Sequence, residues 1–331
     1  MKVTFLCPLN GNLNPGGAEQ QAFQTAHELR NLGVEIEYLT PMSTDLGDLV
    51  HAFGPYNEYE RVQSFAHHRN IPFVISSIFY KDFSLFDAFK YKFRRNISGH
   101  ENRSLDKLFK RSDAILPNSH EEMRQLLSLH KINRTKTKII PNGAETRFKS
   151  ASPSLFREHF NVTDEFILNV GRIEPRKNQV RLAAAAKLLG KKLIIVGNPV
   201  LENYTAEVLK SGGEFVKIIP ALHHDSPLLE SAYAACKVFA LPSTLETPGI
   251  AALEAALAGA PIVVTPTGGP KEYFLDYAEY PRISDENSIA ESILRKWNAP
   301  NSTRLQEHIM NEYTWKAVGE KTLNVYKTLL L

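Results

Sequence analysis

The sequence predicts an α/β protein of two doubly wound domains, on three observations. Short β-rich runs alternate with helix-patterned segments through both halves, and glycine-bearing loops fall where those runs end. A Pro/Gly/Ser-rich stretch, PNGAETRFKSASPS at 141–154, separates the halves. Strands separated by helices imply a parallel sheet covered on both faces, and 331 residues suit two such domains better than one. The expected division is 1–148, 149–312 and a final segment, 313–331.

In the first half, Lys2–Cys7 is a short apolar strand running into the loop GNLNPGG. A helix is expected from about Ala18 to Leu32, with Ala22, Phe23, Ala26 and Leu29 on one face and Gly33 as its stop. Val34–Thr40 and Leu49–Phe53 read as strands, Tyr59–Arg69 as a helix, and Pro72–Ser76 as a strand. Ser112–Pro117, a helix from Ser119 and a strand at Lys138–Ile140 complete the half. In the second half the strands are Phe166–Val170, Lys192–Val196, Val216–Ile219, Val238–Leu241 and Pro261–Thr265, each followed by a loop and a helix-like segment. Trp315–Leu330 is an amphipathic helix whose Val318, Leu323, Val325, Tyr326 and Leu329 mark a packed face. Two such sheets direct the carboxyl ends of their strands toward a shared central crevice, where ligands bind in this architecture.

Composition narrows the class. A net charge of +3 argues against wholesale nucleic-acid binding. Cys7 and Cys236 each sit in an apolar run and read as packed thiols in a reducing cytoplasm. The N-terminal MKVTFLCPLNGN reads as a first core strand and not as a signal peptide. No apolar run reaches the roughly 20 residues that span a bilayer.

Four loops carry candidate chemistry. Asn12-Leu-Asn-Pro-Gly16-Gly17-Ala-Glu19 follows the first strand; paired glycines permit close approach to a ligand, and bare N–H groups at a helix start favour an anion. A turn capping a helix accounts for the same residues. Gly171-Arg172-Ile-Glu-Pro-Arg-Lys177 follows a strand and offers Arg172 and Lys177 to a diphosphate; a solvated basic loop is the other reading. Glu246-Thr-Pro-Gly249-Ile250-Ala-Ala-Leu-Glu254 places one carboxylate ahead of a helix and one along it, suited to sugar hydroxyls. The plain alternative is a capping acid and a surface acid. Thr267-Gly268-Gly269 is one more glycine turn at the same sheet edge and says little alone. No Asp-x-Asp pair, HxxxH or CxxC occurs, so neither a metal nor another cofactor is expected. With neither GxSxG nor a P-loop, hydrolase and phosphate-loop ATPase readings are weak.

Together GGAE at 16–19, IIPNGAE at 139–145, GRIEPRK at 171–177, ETPGIAALE at 246–254 and TPTGGPKE at 265–272 resemble family 4 of the glycosyltransferases, retaining enzymes of GT-B architecture with two Rossmann-like domains. The likeness covers nearly the whole chain. It implies that Arg172 and Lys177 hold the diphosphate of a UDP- or GDP-sugar, that Glu254 takes the ribose hydroxyls, and that Glu246 contacts the transferred sugar. It also implies that Gly249 and Ile250 offer backbone N–H groups, that Gly17 faces the reacting centre, and that the final helix crosses back to the first domain. Gly16, Glu19 and His51 are candidates on the acceptor side, although a satisfied structural histidine is the stronger reading of His51. Two features depart from the pattern. Val74-Ile-Ser-Ser-Ile-Phe79-Tyr80 lacks the family's His after the fourth strand, and Pro248 removes an N–H beside the sugar site.

One further segment is a basic amphipathic stretch with Phe83, Phe86, Lys90, Lys92, Phe93, Arg94 and Arg95. It suits either peripheral contact with the inner face of a membrane, natural for a lipid-linked acceptor, or a packed helix with a solvated basic end. The expected function is sugar transfer to a glycan, lipid-linked or small-molecule hydroxyl, as in polysaccharide assembly. The alternatives are a nucleotide-sugar epimerase and a non-catalytic nucleotide-sugar-binding protein on the same scaffold.

Overall fold

The computed structural model describes residues 1–7, 16–81, 90–93, 101–300 and 302–331. They form two compact units, Met1–Asn142 with Trp315–Leu331, and Gly143–Thr314. Residues 143–148, assigned to the first domain from sequence, belong to the second. Ala144 N–H donates to Tyr313 O at 2.8 Å, Ala144 bridges Thr314, and Phe148 is fully buried in the second core.

In the first unit a parallel sheet has the order β2-β1-β3-β4-β5, formed by β1 Lys2–Leu6, β2 Glu35–Tyr38, β3 Leu49–Phe53, β4 Phe73–Ser76 and β5 Ala114–Leu116. Helix α1, Gly17–Asn31, starts where Gly16 N–H donates to Glu19 Oε2 at 2.7 Å, and it ends on Gly33 in the left-handed region. Gln21, Ala22, Ala26 and Leu29 face the core, but Phe23 is 54% exposed, one position off the buried stripe. Further helices are α2 Tyr59–His68, α3 Glu101–Arg111 and α4 His120–His130, the last capped by Ser119 Oγ accepting from Glu122 N–H. Lys138–Ile140 is not a strand. Lys138 and Ile140 N–H groups do donate to Ile115 O and Pro117 O. The return bond would need an N–H at position 117, and Pro117 has none, so pairing reduces to one bridge, Ile115 to Thr137.

The last helix, Trp315–Leu330, packs on α1 and belongs to this unit. A side chain at Gly319 would come within 2.7 Å of Glu28 Cβ, so the close helix approach needs a glycine there. His51 ties that helix to the sheet, its Nδ1 2.5 Å from Tyr326 OH and its Nε2 2.9 Å from Ser76 Oγ. It is 1% exposed, and burial pushes its imidazole from the ordinary 6.5 down to about 3. The histidine therefore stays neutral while the unfolded chain's does not. As pH falls from 6.5 toward 3, unfolding takes up one proton at this site, which costs about 1.4 kcal/mol per pH unit. His51→Gln should flatten the dependence of denaturant-unfolding stability on pH by about that slope; equal slopes in both proteins would mean that His51 is charged in the fold.

The second unit repeats the plan with β6 Phe166–Val170, β7 Lys192–Val196, β8 Val216–Ile219, β9 Val238–Leu241 and β10 Ile262–Val264, all parallel, in the order β10-β9-β6-β7-β8. Phe166 and Leu168 enter one core and Ile167 the other, so both faces are covered and the strands are apolar throughout. Its helices are α5 Ser154–Phe160, α6 Gln179–Leu189, α7 Glu202–Gly212, α8 Pro227–Ala235, α9 Ile250–Leu257, α10 Pro270–Phe274, α11 Glu286–Asn298 and α12 Arg304–Glu312. Strand order reverses between β6 and β9, and the loops leaving their carboxyl ends are 171–178 and 242–249.

Burial pushes both thiols, Cys7 and Cys236, up to about 12, which suits packing and not reactivity. Among the described residues no helix is long and apolar enough to cross a membrane. Phe83, Phe86, Arg94 and Arg95 of the amphipathic segment lie outside the described residues. Residues 90–93 are helical with Lys90, Lys92 and Phe93 exposed and Tyr91 buried.

Candidate active site

The reversal point of the second sheet gathers the charged residues of two loops. After β6, Gly171 (φ 147°) turns the chain beneath Gly197, where an added Cβ would lie 2.0 Å from Gly171 O. Pro175–Lys177 forms a single 3₁₀ turn before α6. After β9, the chain reaches Glu246 and then Gly249, whose φ of 81° at the start of α9 is open to glycine.

Lys177 Nζ donates to Glu246 Oε1 at 2.6 Å, and Arg176 Nη1 lies 3.7 Å from the same oxygen. Arg176 also ties the two loops together, donating to Leu245 O at 3.1 Å while Thr244 N–H donates to Arg176 O at 2.8 Å. Burial pushes the Glu246 carboxyl up, but the Lys177 and Arg176 charges outweigh it and hold the group below the ordinary carboxylate range. Glu246 is therefore ionised, and Lys177 is a paired cation and not a lone one. Arg172 is looser, with 37% of its side chain exposed and a contact of 3.5 Å to Glu174.

Behind Glu246 stands a second pair of glycines. Glu246 bridges Gly268, Gly269 N–H donates to Glu246 O at 3.0 Å, and Glu246 N–H donates to Thr267 O at 3.3 Å. A Cβ at Gly268 would meet Glu246 O at 1.9 Å and one at Gly269 would meet Thr247 O at 2.0 Å. The Thr267-Gly268-Gly269 turn, of little weight in the sequence, is what sets the Glu246 loop. Past it, the N–H groups of Ile250 and Ala251 open α9 without intrahelical acceptors.

Glu254, one turn along α9, is 3% exposed. His224 Nε2 sits 2.8 Å from its Oε1, and Tyr233 OH donates to its Oε2 at 2.7 Å. Neither partner was found from sequence, being 30 and 21 residues away with no local spacing to mark them. Burial opposes charge on His224, but the bond to Glu254 and the nearby Glu145 raise its pKa. Glu145, His224 and Asp225 could present ligand atoms within 4.8 Å of one another. The Arg147 guanidinium occupies that cluster already, 3.0 Å from Glu145 Oε2 and 3.3 Å from His224 Nδ1, so a metal cation there would meet a fixed positive charge.

The remaining candidates lie in the first unit. Gly16 and Gly17 open α1 and Glu19 caps it; Asn12–Pro15 lie outside the described residues. His51 is buried with both ring nitrogens bonded, which is the structural reading and removes it from any acceptor surface. After β4, where the family's histidine would stand, Ile78 has a φ of 40°, rare for a β-branched residue. Glu122 holds that turn, accepting from Ser77 Oγ, from Phe79 N–H at 2.8 Å and from Asn118 N–H at 2.9 Å.

Residues 153–302 match the family described as glycosyl transferases group 1. An uncharacterized glycosyltransferase of Methanocaldococcus jannaschii is 28% identical over 229 residues, 61% of this chain and 57% of that protein. The D-inositol 3-phosphate glycosyltransferase of Mycolicibacterium smegmatis is 31% identical over 169 residues, 48% of this chain and 38% of that one. The matches thus span little more than half, or less, of these relatives' lengths. Sucrose-phosphate synthase of Thermosynechococcus elongatus superposes with a TM-score of 0.79 at 17% identity, covering 99% of each chain. Anabaena HepE, solved with UDP-glucose, gives 0.77 at 18% identity over 99% of this chain and 100% of its own. The fold is GT-B.

Proposed function

We propose that this chain, whose residues 153–302 match the family described as glycosyl transferases group 1, transfers a sugar from a nucleoside-diphosphate donor to an acceptor hydroxyl with retention of configuration and without a metal. The observation that carries the proposal is the paired Lys177–Glu246, flanked by Arg172 and Arg176 at the sheet's reversal point. A diphosphate brought to that point meets the Lys177 ammonium, the loose Arg172 fork and the open N–H groups of Ile250 and Ala251. These do the work that a chelated metal does elsewhere: they stabilise the negative charge that grows on the leaving group.

In the step proposed, the bond between the sugar's anomeric carbon and the β-phosphate oxygen breaks, and the acceptor oxygen bonds the same carbon on the same face. The acceptor's proton passes to the departing phosphate oxygen. Glu246, held ionised, faces the sugar as it gains positive charge, while Glu254 binds the nucleoside ribose in ground and transition states alike. The acceptor is a hydroxyl of a glycan, a lipid-linked saccharide or a small polyol. In support, one relative is named for a small phosphorylated polyol, D-inositol 3-phosphate, and one structural neighbour was solved with UDP-glucose.

The test is steady-state kinetics with UDP- and GDP-sugars. Glu246→Gln should lower kcat by roughly 10²-fold, the effect of losing one preorganised electrostatic group, and leave donor affinity nearly unchanged. Glu254→Gln should raise KM with kcat nearly constant, the signature of lost uniform binding. The opposite pattern would exchange their roles, and donor binding with no turnover by the wild type would reject transfer altogether.

A further inference from the structure

We propose that His224 and Tyr233 are positioning residues that clamp Glu254 so that its remaining acceptor sites fit one vicinal diol, and that they thereby set selectivity for a ribonucleoside over a deoxyribonucleoside diphosphate. The proposal rests on the donor-binding reading of Glu254 given above. A carboxylate has about four acceptor lone-pair sites. His224 takes one on Oε1 and Tyr233 one on Oε2. One site is left on each oxygen, which matches the two hydroxyls that a ribose presents and exceeds what a 2′-deoxyribose can fill.

The clamp is built from separate elements. Tyr233 lies on α8 and is fully buried, and burial together with the neighbouring Glu254 charge raises its hydroxyl far above the ordinary range, so it remains a donor. His224 lies in the loop between β8 and α8. Its Nε2 must carry a hydrogen to meet a carboxylate, and its Nδ1 has a partner in either charge state. Neutral, it can accept from Arg147 Nη2 at 3.3 Å; protonated, it can donate to Glu145 Oε2 at 3.3 Å. Arg147 also fixes the loop itself, donating to His224 O at 2.8 Å and to Glu230. Glu254 is nearly closed off while 23% of the His224 side chain is open, so a diol that reaches Glu254 passes beside His224. A site whose buried polar groups are matched to a hydroxyl penalises the analogue that lacks it, because an acceptor is left unpaired.

The experiment is calorimetric titration of the full chain with UDP and GDP and with their 2′-deoxy counterparts. The wild type is expected to bind the preferred ribonucleotide at least ~10-fold tighter than its deoxy form, as for a charge-assisted hydrogen bond. In His224→Ala and Tyr233→Phe that ratio should fall several-fold, and His224→Gln, which keeps a donor, should retain it. Weaker binding of both forms with the ratio unchanged would overturn the proposal, since a merely structural role predicts it. If Tyr233→Phe does not fold, the part-exposed His224 variants decide alone. Binding of none of the four nucleotides by the wild type would remove the donor reading itself, and this proposal with it.

Discussion

Replacing Lys177 with alanine is expected to cost the second unit about 3 kcal/mol, the lower end of the range for breaking a buried ion pair, as well as its affinity for a diphosphate. The reason is Glu246, whose side chain is 8% exposed and which bonds Lys177 at 2.6 Å. Without the ammonium, the nearest cation left to that carboxylate among the described residues is Arg176 at 3.7 Å. Arg172→Ala is expected to behave differently. Its side chain is 37% exposed and touches Glu174 at 3.5 Å, so stability should hardly change while turnover falls. The double replacement Lys177→Met with Glu246→Gln removes both charges and should recover most of the stability but none of the activity. Denaturant unfolding of the three variants provides the check. A Lys177→Ala protein as stable as the wild type would mean that the pair carries ligand chemistry alone.

The second large effect is expected at Gly268. Alanine there places a Cβ 1.9 Å from Glu246 O at a φ of 100°, so the backbone that carries Glu246 must move. A shift of about 1 Å in a catalytic group costs on the order of 10²-fold in rate, and we expect Gly268→Ala to lose at least that much. Gly269→Ala, at 2.0 Å from Thr247 O, should follow it. Gly190→Ala supplies the control. Its φ of 60° is also left-handed but nothing lies within 4 Å, so it should show only the conformational penalty of about 1 kcal/mol and normal kinetics. If Gly268→Ala kept the wild-type rate, the tight turn would not be what positions Glu246.

Much of this was legible in the sequence, and the rest was hidden for definite reasons. The strand runs of the second half were readable because a parallel sheet covered on both faces needs uninterrupted apolar strands, and Phe166–Val170 and Lys192–Val196 supply them. Lys138–Ile140 has the same local pattern but failed as a strand because the limiting residue, Pro117, sits on its neighbour. Phe23 fits a helical stripe by spacing, yet the stripe runs through Gln21 and Gln24, polar residues that a hydrophobic pattern passes over. Arg172, Lys177, Glu246 and Glu254 could be singled out because each follows a strand end. That Lys177 meets Glu246 across 69 residues, or that Tyr233 and His224 close on Glu254, depends on strand order, which no local window contains.

The division of the chain has a consequence for the order of events in folding. The first unit contains Trp315–Leu330, so its His51–Tyr326 bond joins residues 275 positions apart. Closing a flexible loop of that kind costs roughly 4–5 kcal/mol in chain entropy before any contact repays it. Once folded, the intervening Gly143–Thr314 acts as one short link, leaving about 100 residues to close and lowering that cost by roughly 1 kcal/mol. Its two ends are then paired, Ala144 with Thr314, so the chain leaves and returns at one place. The second unit is thus a folded insert within the first one's sequence, and its completion shortens the loop that closes when the last helix joins α1.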